Sequence, residues 1–286
     1  MHTIILDTDI GSDVDDALAL AMLLGCDSIN LVGITTVYGD TKLRAQIAQH
    51  LCHIAGRSFP TFTGVQTPLS GREVWMSGSE GKDFLHLSNY QPEAKSAVDF
   101  LIETVNSAPG QIEILAIGPL SNIATAIQQS LNFTRNLKHL WIMGGDFTES
   151  KVEHNFKCDV TAAKVVMESS IPITILDLPS SQKTIIESTE IEEIKNSGKL
   201  GDILYSQIMN WIRPRQQDWT TPHDPIASLA IIRRDLFEFS AKGSVTIAQD
   251  GMSTWNISST GNVQKMTPSK PVEAVKAMIS LIAKVK

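Results

Sequence analysis

Short apolar runs alternate along the chain with longer segments whose apolar positions recur at helical spacing. The short runs predict strands at residues 3–6, 30–36, 112–117, 139–143 and 173–176. The longer segments predict helices at residues 15–24, 42–55, 121–129, 159–168 and 187–195. Strands that alternate with helices predict an α/β, Rossmann-like fold, with a mainly parallel central sheet flanked by helices. Such sheets bind ligands at the carboxyl ends of their strands.

The other segments fit the same predicted domain. Residues 60–92 are rich in Gly, Ser and Pro and predict a long loop of the kind that closes a site. Residues 242–264 contain β-prone runs separated by glycines, which predicts a pair of hairpins, and residues 271–286 predict a closing helix. Because no stretch resembles a linker, we expect one domain over residues 1–286.

Composition and charge narrow the possible partners and the compartment. The 24 Lys and Arg residues are outnumbered by 31 Asp and Glu residues, and no basic stretch offers a surface for nucleic acid. The longest apolar runs, such as residues 17–24, are too short to span a membrane. The three cysteines match no disulfide framework or zinc spacing, and no signal peptide precedes the first strand. We therefore expect a cytoplasmic protein without membrane or nucleic-acid partners.

Acidic residues crowd the segment that follows the first predicted strand. Residues 7–16 read D-T-D-I-G-S-D-V-D-D, with five carboxylates in ten positions. Unpaired, these carboxylates would repel one another, whereas a hard divalent cation such as Ca²⁺ or Mg²⁺ accepts oxygen ligands. An N-cap for the following helix, together with acids in its first turn that favour the helix dipole, would account for only two or three of these residues. The segment therefore predicts a metal site. The acids are Asp7, Asp9, Asp13, Asp15 and Asp16.

A second motif, P-H-D-P at residues 222–225, has two interpretations. Pro225 suits the first position of a helix and Asp224 suits its cap, so the motif is also typical of an ordinary helix start. His223 beside an acid is weak support for catalysis when it is considered alone.

A series of motifs in this order resembles the inosine–uridine-preferring nucleoside hydrolase family. The opening D-T-D-I-G and D-D-A are followed by I-T-T-V-Y-G-D, I-G-P-L-S-N, W-I-M-G-G-D, E-H-N at 153–155 and H-D-P-I-A at 223–227. The resemblance implies an enzyme of nucleoside catabolism and purine or pyrimidine salvage, which hydrolyses the N-glycosidic bond of ribonucleosides to free base and ribose. It also implies a homodimer or homotetramer and a small-molecule nucleoside as the partner.

The resemblance implies a calcium cofactor at the rim of the sheet. The ion would chelate the 2′ and 3′ hydroxyls of ribose together with one water. Carried over by position, its ligands would be Asp9, Asp16, Asp224 and the backbone carbonyl of Ile117. Asp7 is expected to fix the loop through hydrogen bonds instead of binding the metal.

Further roles follow from the same resemblance. Asp15 would be the general base for the water, Glu153 and Asn155 would hold the ribose, and His223 would protonate the leaving base. This division suits the chemistry, because bond cleavage builds positive charge on the sugar and calcium lowers the pKa of water only modestly. Glu153 and Asn155 also fit solvated loop positions.

The chain departs from the common family pattern in several places. Two additional residues lie between Gly11 and Asp15, so Asp13 remains an alternative general base. Asp40 stands where the family has Asn, and it is expected to contact the substrate. The family's histidine in the long loop is missing at residues 77–81. These differences leave the preferred nucleobase open.

Several residues before His223 are candidates for the base pocket. Trp211 could stack on a base, and Arg215 could bond to it or protonate it. Trp219, Arg213 and Gln216 belong to the same segment. The alternative is that Trp211 is a core residue and the arginines are solvated.

Two other functions compete with hydrolysis of nucleosides. A haloacid-dehalogenase-type phosphatase also has D-x-D after its first strand, but it requires Thr where this chain has Gly11. A calcium-dependent ribose- or nucleoside-binding protein would bind the ligand without turnover. Cys158 is expected to be a packing residue, with a functional thiol as the alternative.

Overall fold

The computed structural model describes residues 1–82, 84–148 and 150–285, and in these residues nine strands form one sheet. The strands are β1 (His2–Thr8), β2 (Ile29–Thr36), β3 (Thr61–Thr63), β4 (Ile112–Ala116), β5 (His139–Met143), β6 (Ile173–Leu176), β7 (Phe237–Ile247), β8 (Ser253–Ile257) and β9 (Val263–Pro268). Their order across the sheet is β3-β2-β1-β4-β5-β6-β9-β7-β8. All neighbours from β3 to β9 pair in parallel, and only β7 pairs antiparallel, with β8 and β9.

Helices cover both faces of this sheet. They are α1 (Asp15–Leu24), α2 (Thr41–Ile54), α3 (Ala97–Ser107), α4 (Ser121–Gln129), α5 (Phe133–Asn136), α6 (His154–Cys158), α7 (Val160–Met167), α8 (Leu178–Ser181), α9 (Ser188–Lys195), α10 (Lys199–Ile212), α11 (His223–Leu229) and α12 (Pro271–Ile282). One face packs against α1, α2 and α9–α12, and the other packs against α3, α4 and α7. None of the described helices has the length and apolar character needed to cross a membrane.

The prediction of a single-domain α/β fold with a mainly parallel sheet is confirmed. Each predicted strand and helix is present, with boundaries shifted by no more than a few residues. The residue 242–264 region forms the β7–β8 hairpin, and β9 then returns beside β7 and joins the parallel part through β6. The sequence analysis did not predict β3, α3 or α10. Lys286, the last residue of the predicted closing helix, lies outside the described residues.

Helix α1 is buried on every side. All ten of its residues are buried, because it packs on the sheet and is covered by α2, α11 and α12. A helix enclosed in this way is expected to be apolar all round, which explains the uninterrupted run at residues 17–24. The only acids of this helix are in its first turn, Asp15 and Asp16. Asp15 and Asp16 therefore reach the site from a helix that is embedded in the core.

The topology opens a crevice beside the central strand β1. After β1 the chain crosses over one face of the sheet, whereas the connections around β4 cover the opposite face. Ligands bind where such connections diverge. Asp7 joins the elements around this point, because its Oδ1 accepts hydrogen bonds from Thr35 Oγ1 (2.5 Å) and Asn122 Nδ2 (2.7 Å).

Candidate active site

A cavity of about 300 Å³ opens at the carboxyl ends of β1, β4 and β5, where the sequence analysis placed the ligand site. Acids from the first loop and from α1 and α11 form one side of it, and tryptophan, methionine and leucine side chains form apolar walls. The acids are Asp9, Asp13, Asp15, Asp16 and Asp224. The other residues at the cavity are Ser12, Trp75, Ile117, Met143, Glu153, His154, Asn155, Leu178, Trp211 and His223.

Three carboxylates meet where α1 and α11 begin. Asp15 and Asp16 lie in the first turn of α1, and Asp224 lies in the first turn of α11. One oxygen from each carboxylate lies within 4.8 Å of the other two, and all three residues are buried. This spacing suits a single cation that is bound by all three oxygens. The sequence analysis paired Asp9 with Asp16 and Asp224, whereas the structure groups Asp15 with them and places Asp9 in the same cavity outside that group.

The electrostatics of this cluster favour a bound cation. Burial raises the pKa of Asp15, Asp16 and Asp224 well above the ordinary value, and the neighbouring carboxylates raise it further. Thr8 offsets part of this effect by donating its hydroxyl proton to Asp16. A hard divalent cation would keep these acids ionised, because the attraction of its charge opposes both burial and mutual repulsion. The donor set therefore fits calcium or magnesium.

Arg44 organises the first loop, and the sequence analysis did not identify it. Its guanidinium is fully buried and donates to the backbone carbonyls of Asp9 and Ile10 and to Ser12 Oγ (3.1 Å). Nη2 also lies 4.0 Å from Asp9 Oδ2. Burial raises the pKa of Asp9, and the positive charge of Arg44 opposes part of this rise. A signal was available, because Arg44 lies on the same face of α2 as the apolar Ala48 and Leu51.

Ile117 lines the cavity, and the backbone next to it approaches Asp9 closely. Gly118 allows this approach, because a Cβ at that position would lie 2.7 Å from Asp9 Oδ1. Asn155 Nδ2 donates to the Ile117 carbonyl (2.9 Å) and also contacts the Met143 carbonyl (3.2 Å). A carbonyl oxygen has two lone pairs, so this hydrogen bond leaves one of them for a ligand.

Glu153 is a helix cap as well as a residue of the cavity wall. Its carboxylate accepts hydrogen bonds from the backbone N–H groups of Asn155 (2.8 Å), Phe156 (3.0 Å) and Gly145 (3.0 Å). These bonds fix the start of α6 and join it to the turn after β5. Glu153 and Asn155 are both buried, so the interpretation as solvated loop residues is excluded.

His223 enters the cavity from the start of α11. Its Nδ1 lies 2.7 Å from Ser181 Oγ, which donates its single proton to the Leu178 carbonyl (2.8 Å). We infer that Nδ1 carries the ring proton and that Nε2 holds a lone pair. Burial and the positive charge of Lys151 lower the pKa of His223 to about 4, so the ring is neutral at pH 7. Rotation of the Ser181 hydroxyl towards Nδ1 would produce the other neutral tautomer, with a donor at Nε2.

Two residues predicted to contact the substrate are placed elsewhere. Asp40 is exposed and caps α2, where its carboxylate accepts from the backbone N–H of Leu43 (2.9 Å). Arg215 is exposed and stacks its guanidinium 3.3 Å from the centre of the Trp211 ring. Neither residue is part of the cavity wall, whereas Trp211 is. Arg215 thus braces the tryptophan from outside.

Glu80 fastens the long loop where the family's histidine is missing. Its Oε1 accepts hydrogen bonds from Ser12 Oγ (2.8 Å) and from the backbone N–H of Ser77 (2.7 Å). The loop is thereby joined to the first loop, and Trp75 reaches the cavity wall. In the described part of the predicted long loop, residues 60–82 and 84–92, the regular elements are β3 and a 3₁₀ turn at Leu87–Asn89.

Asp7→Asn is expected to flatten the pH dependence of stability in the metal-free protein. Burial raises the pKa of Asp7 to about 7, and its Oδ2 has no hydrogen-bond partner among the described residues. The folded state therefore binds this proton more tightly than the unfolded state. Its stabilising effect is complete below about pH 4 and is lost as the pH rises to about 7, with a limit of about 4 kcal/mol. Denaturant unfolding in chelator from pH 4.5 to pH 8 measures this, and an equally steep decline in the variant would contradict it.

Comparisons with known proteins agree with this geometry. Residues 4–279 match the family model described as inosine-uridine preferring nucleoside hydrolase. Uridine nucleosidase 1 from Arabidopsis thaliana is 30% identical over 277 residues, which cover 87% of this chain and 79% of that protein. The pyrimidine-specific ribonucleoside hydrolase RihB from Escherichia coli O9:H4 (strain HS) is 30% identical over 220 residues, which cover 73% of this chain and 69% of RihB.

Solved structures share the whole fold. A plant nucleoside hydrolase superposes with a TM-score of 0.89 at 24% identity and covers 99% of each chain. A purine-preferring ribonucleoside hydrolase from Gardnerella vaginalis superposes with a TM-score of 0.85 at 20% identity and covers 99% of this chain and 98% of that chain. With the family match over nearly the full length, the chain belongs to the inosine-uridine preferring nucleoside hydrolases and is a hydrolase of N-glycosyl compounds.

Proposed function

We propose that this ribonucleoside hydrolase uses calcium as its metal and releases free base and ribose. The observation that carries the proposal is the group of buried carboxylates from Asp15, Asp16 and Asp224, whose oxygens lie within 4.8 Å of one another. The nearby donors, Asp9 and the Ile117 carbonyl, also offer oxygen, and oxygen-only sites with several carboxylates suit calcium. When bound, the cation supplies a hard Lewis acid to which a vicinal diol and a water can be docked.

The side chains of the cavity then perform the remaining steps. Asp15 takes a proton from the attacking water, and Glu153 and Asn155 orient the sugar. The apolar surfaces of Trp211 and Leu178 exclude bulk water around the leaving base. Because its ring is neutral at pH 7, His223 donates a hydrogen bond to that base from Nε2 and not a proton, after the Ser181 hydroxyl has turned towards Nδ1.

The positions of the acids also support an alternative in which Asp9 and Asp15 exchange the roles of metal ligand and general base. Asp15 belongs to the group of three oxygens, so it is also placed to be a metal ligand. Asp9 lies outside that group, and its carboxylate is held near the positive charge of Arg44. In this alternative, Asp9 is the general base and Asp15 completes the ligand set.

The proposal is tested with a panel of ribonucleosides in chelator and after addition of calcium, with reducing sugar as the readout. We expect release of ribose that stops in chelator and returns with calcium but not with buffer alone. Binding of nucleoside without ribose release would indicate the binding protein instead. Release of phosphate from a generic ester would indicate the phosphatase, and the family match favours neither alternative.

His223→Ala is expected to slow the enzyme in proportion to the basicity of the leaving group. Natural nucleosides need help to expel the base, so kcat should fall by about 10²-fold. p-Nitrophenyl riboside has an acidic leaving group and should lose only a small factor. Steady-state kinetics with both substrates measure the difference, and an equal loss for both would remove the role of His223 as hydrogen-bond donor to the leaving base.

Four broader properties are also proposed. Uridine is the first substrate to test, because the relatives include a uridine nucleosidase and a pyrimidine-specific hydrolase. A cytoplasmic location is supported by Cys26, Cys52 and Cys158, which are buried and unpaired. The family resemblance supports a homodimer or homotetramer and one catalytic domain over residues 1–286.

A further inference from the structure

We propose that His154 determines substrate specificity by donating a hydrogen bond from Nδ1–H to an acceptor oxygen of the nucleoside outside the vicinal diol. The inference rests on the proposed function, because the cavity that His154 lines is the proposed nucleoside site. His154 is the middle residue of the E-H-N motif, and neither the metal nor the hydrolytic step uses it.

His154 stands between two cavities. It is the first residue of α6 and lines both the central cavity and a second cavity of about 320 Å³. Trp75 of the long loop lines the same two cavities and contacts the imidazole edge-on, with ring centres 5.5 Å apart and an interplanar angle of 82°. The two rings therefore form the wall between the cavities.

A chain of hydrogen bonds reaches His154 from the side of the second cavity. The backbone N–H of Trp75 donates to Tyr38 Oη (2.8 Å). The Tyr38 side chain is also hydrogen-bonded to Cys158, which lies one helical turn after His154, and we infer that the phenol O–H is the donor because a thiol is the weaker donor of the two. Cys158 Sγ lies 3.5 Å from His154 Nε2. In this arrangement Tyr38 Oη and Cys158 Sγ each accept one hydrogen bond and each have one proton to donate.

The direction of the chain sets the tautomer of His154. Burial raises the pKa of Cys158 to about 12, so the sulfur keeps its proton. Because Sγ already accepts from Tyr38, its own proton is the one directed at the imidazole, and Nε2 is the acceptor. The ring proton is then on Nδ1, which has no hydrogen-bond partner within the described residues. His154 is an exposed residue that lines the cavity, and in this tautomer Nδ1–H is the one ring donor that remains for a ligand.

The backbone conformation of Tyr38 supports a positioning role for this chain of hydrogen bonds. Tyr38 has a φ of 68°, a left-handed conformation that is costly for a bulky residue. Its backbone carbonyl accepts from Arg44 Nε (2.7 Å), and its side chain is buried against Val37, Val74 and Cys158. A strained tyrosine held on both sides places its hydroxyl between Trp75 and Cys158.

An N–H donor at this wall requires an acceptor oxygen on the substrate. A nucleoside offers two kinds outside the vicinal diol, an exocyclic carbonyl of the base and the 5′ hydroxyl of ribose. Both are the same ligand chemistry, and substrates that lack one or the other distinguish them. Uridine has both, 5′-deoxyuridine lacks the 5′ hydroxyl, and p-nitrophenyl riboside lacks the base carbonyls.

The test compares His154→Asn, His154→Gln and His154→Phe. The amide nitrogen of Asn can occupy the position of Nδ1, whereas that of Gln occupies the position of Nε2. We expect Asn to keep kcat/KM for uridine within about threefold and both Gln and Phe to lower it about tenfold, the value of one neutral hydrogen bond. The loss should vanish with p-nitrophenyl riboside if the acceptor is a base carbonyl, or with 5′-deoxyuridine if it is the 5′ hydroxyl.

Other patterns would overturn the inference. An equal loss on all three substrates would indicate a structural role, and equal activity of the Asn and Gln variants would exclude Nδ1 as the donor. Cys158→Ala tests the positioning chain and should show a smaller loss with the same dependence on substrate. If the wild-type protein hydrolyses uridine and these patterns fail, only the role of His154 is wrong. If the wild type releases no ribose from any substrate, the proposed function itself fails.

Discussion

Asp15→Asn is expected to lower kcat by about 10²- to 10⁴-fold while calcium remains bound, which is the range for losing a general base. The substitution keeps the size of the side chain and one oxygen but removes the ability to accept a proton. Asp15 is buried in the first turn of a helix that is enclosed on every side, so little rearrangement can compensate. Single-turnover ribose release and calcium titration of the same samples separate the chemical step from metal binding.

Asp9→Asn is the matched variant for this experiment. Both substitutions exchange a buried carboxylate at the same cavity for an amide. If Asp15→Asn loses calcium while Asp9→Asn keeps calcium and loses turnover, Asp15 is a metal ligand and Asp9 is the general base. The group of three oxygens is compatible with that outcome. Asp13→Asn serves as the further control, because Asp13 is the remaining alternative base at this cavity.

Asp224→Ala is expected to abolish calcium binding and activity together. Asp224 is the only one of the three clustered acids that comes from α11, about 200 residues along the chain from the other two. Removing it takes away the ligand that closes the group from the opposite side, so excess calcium should not restore turnover. Calcium titration and ribose release in the same buffer measure both effects, and activity that returns at high calcium would contradict the prediction of complete loss.

Thermal unfolding of the same variant provides an independent readout. In the wild type, calcium at about 1,000 times its dissociation constant should add about 4 kcal/mol of stability through preferential binding to the folded state. The variant should lose this gain. In chelator, however, it should be at least as stable as the wild type, because a buried acid that other carboxylates repel has been removed. Lower stability in chelator would show that Asp224 has a structural function beyond the metal.

The hydrophobic pattern predicted most of the fold because buried parallel strands and the enclosed helix α1 leave clear apolar runs. The pattern failed where burial is partial. Strand β3 has three residues, too few for a pattern to emerge, and α10 follows α9 after only three residues. The convergence of the first loop with Ile117 and Met143 could be predicted, since carboxyl ends of parallel strands meet at one edge.

Contacts within the site were harder to predict than its location. Asp40 and Arg215 have side chains that could bind a nucleoside, but each is engaged in a contact close by in sequence. Asp40 caps α2, and Arg215 stacks on Trp211. Arg44 and Ser181 went unnoticed because their importance comes from partners distant in sequence, the first loop and His223. Such partners lie 30 or more residues away along the chain, beyond the reach of any local pattern.

The enclosed position of α1 divides the pocket into two halves with different freedom to change during evolution. Asp15 and Asp16 enter from a helix without an exposed side, so almost any substitution along it would disturb the core and the catalytic machinery together. Trp75 is half exposed on a loop and Trp211 lies at the end of an outer helix, so both can be exchanged at little cost to folding. Libraries aimed at altered base selectivity should therefore randomise these two tryptophans and leave α1 untouched.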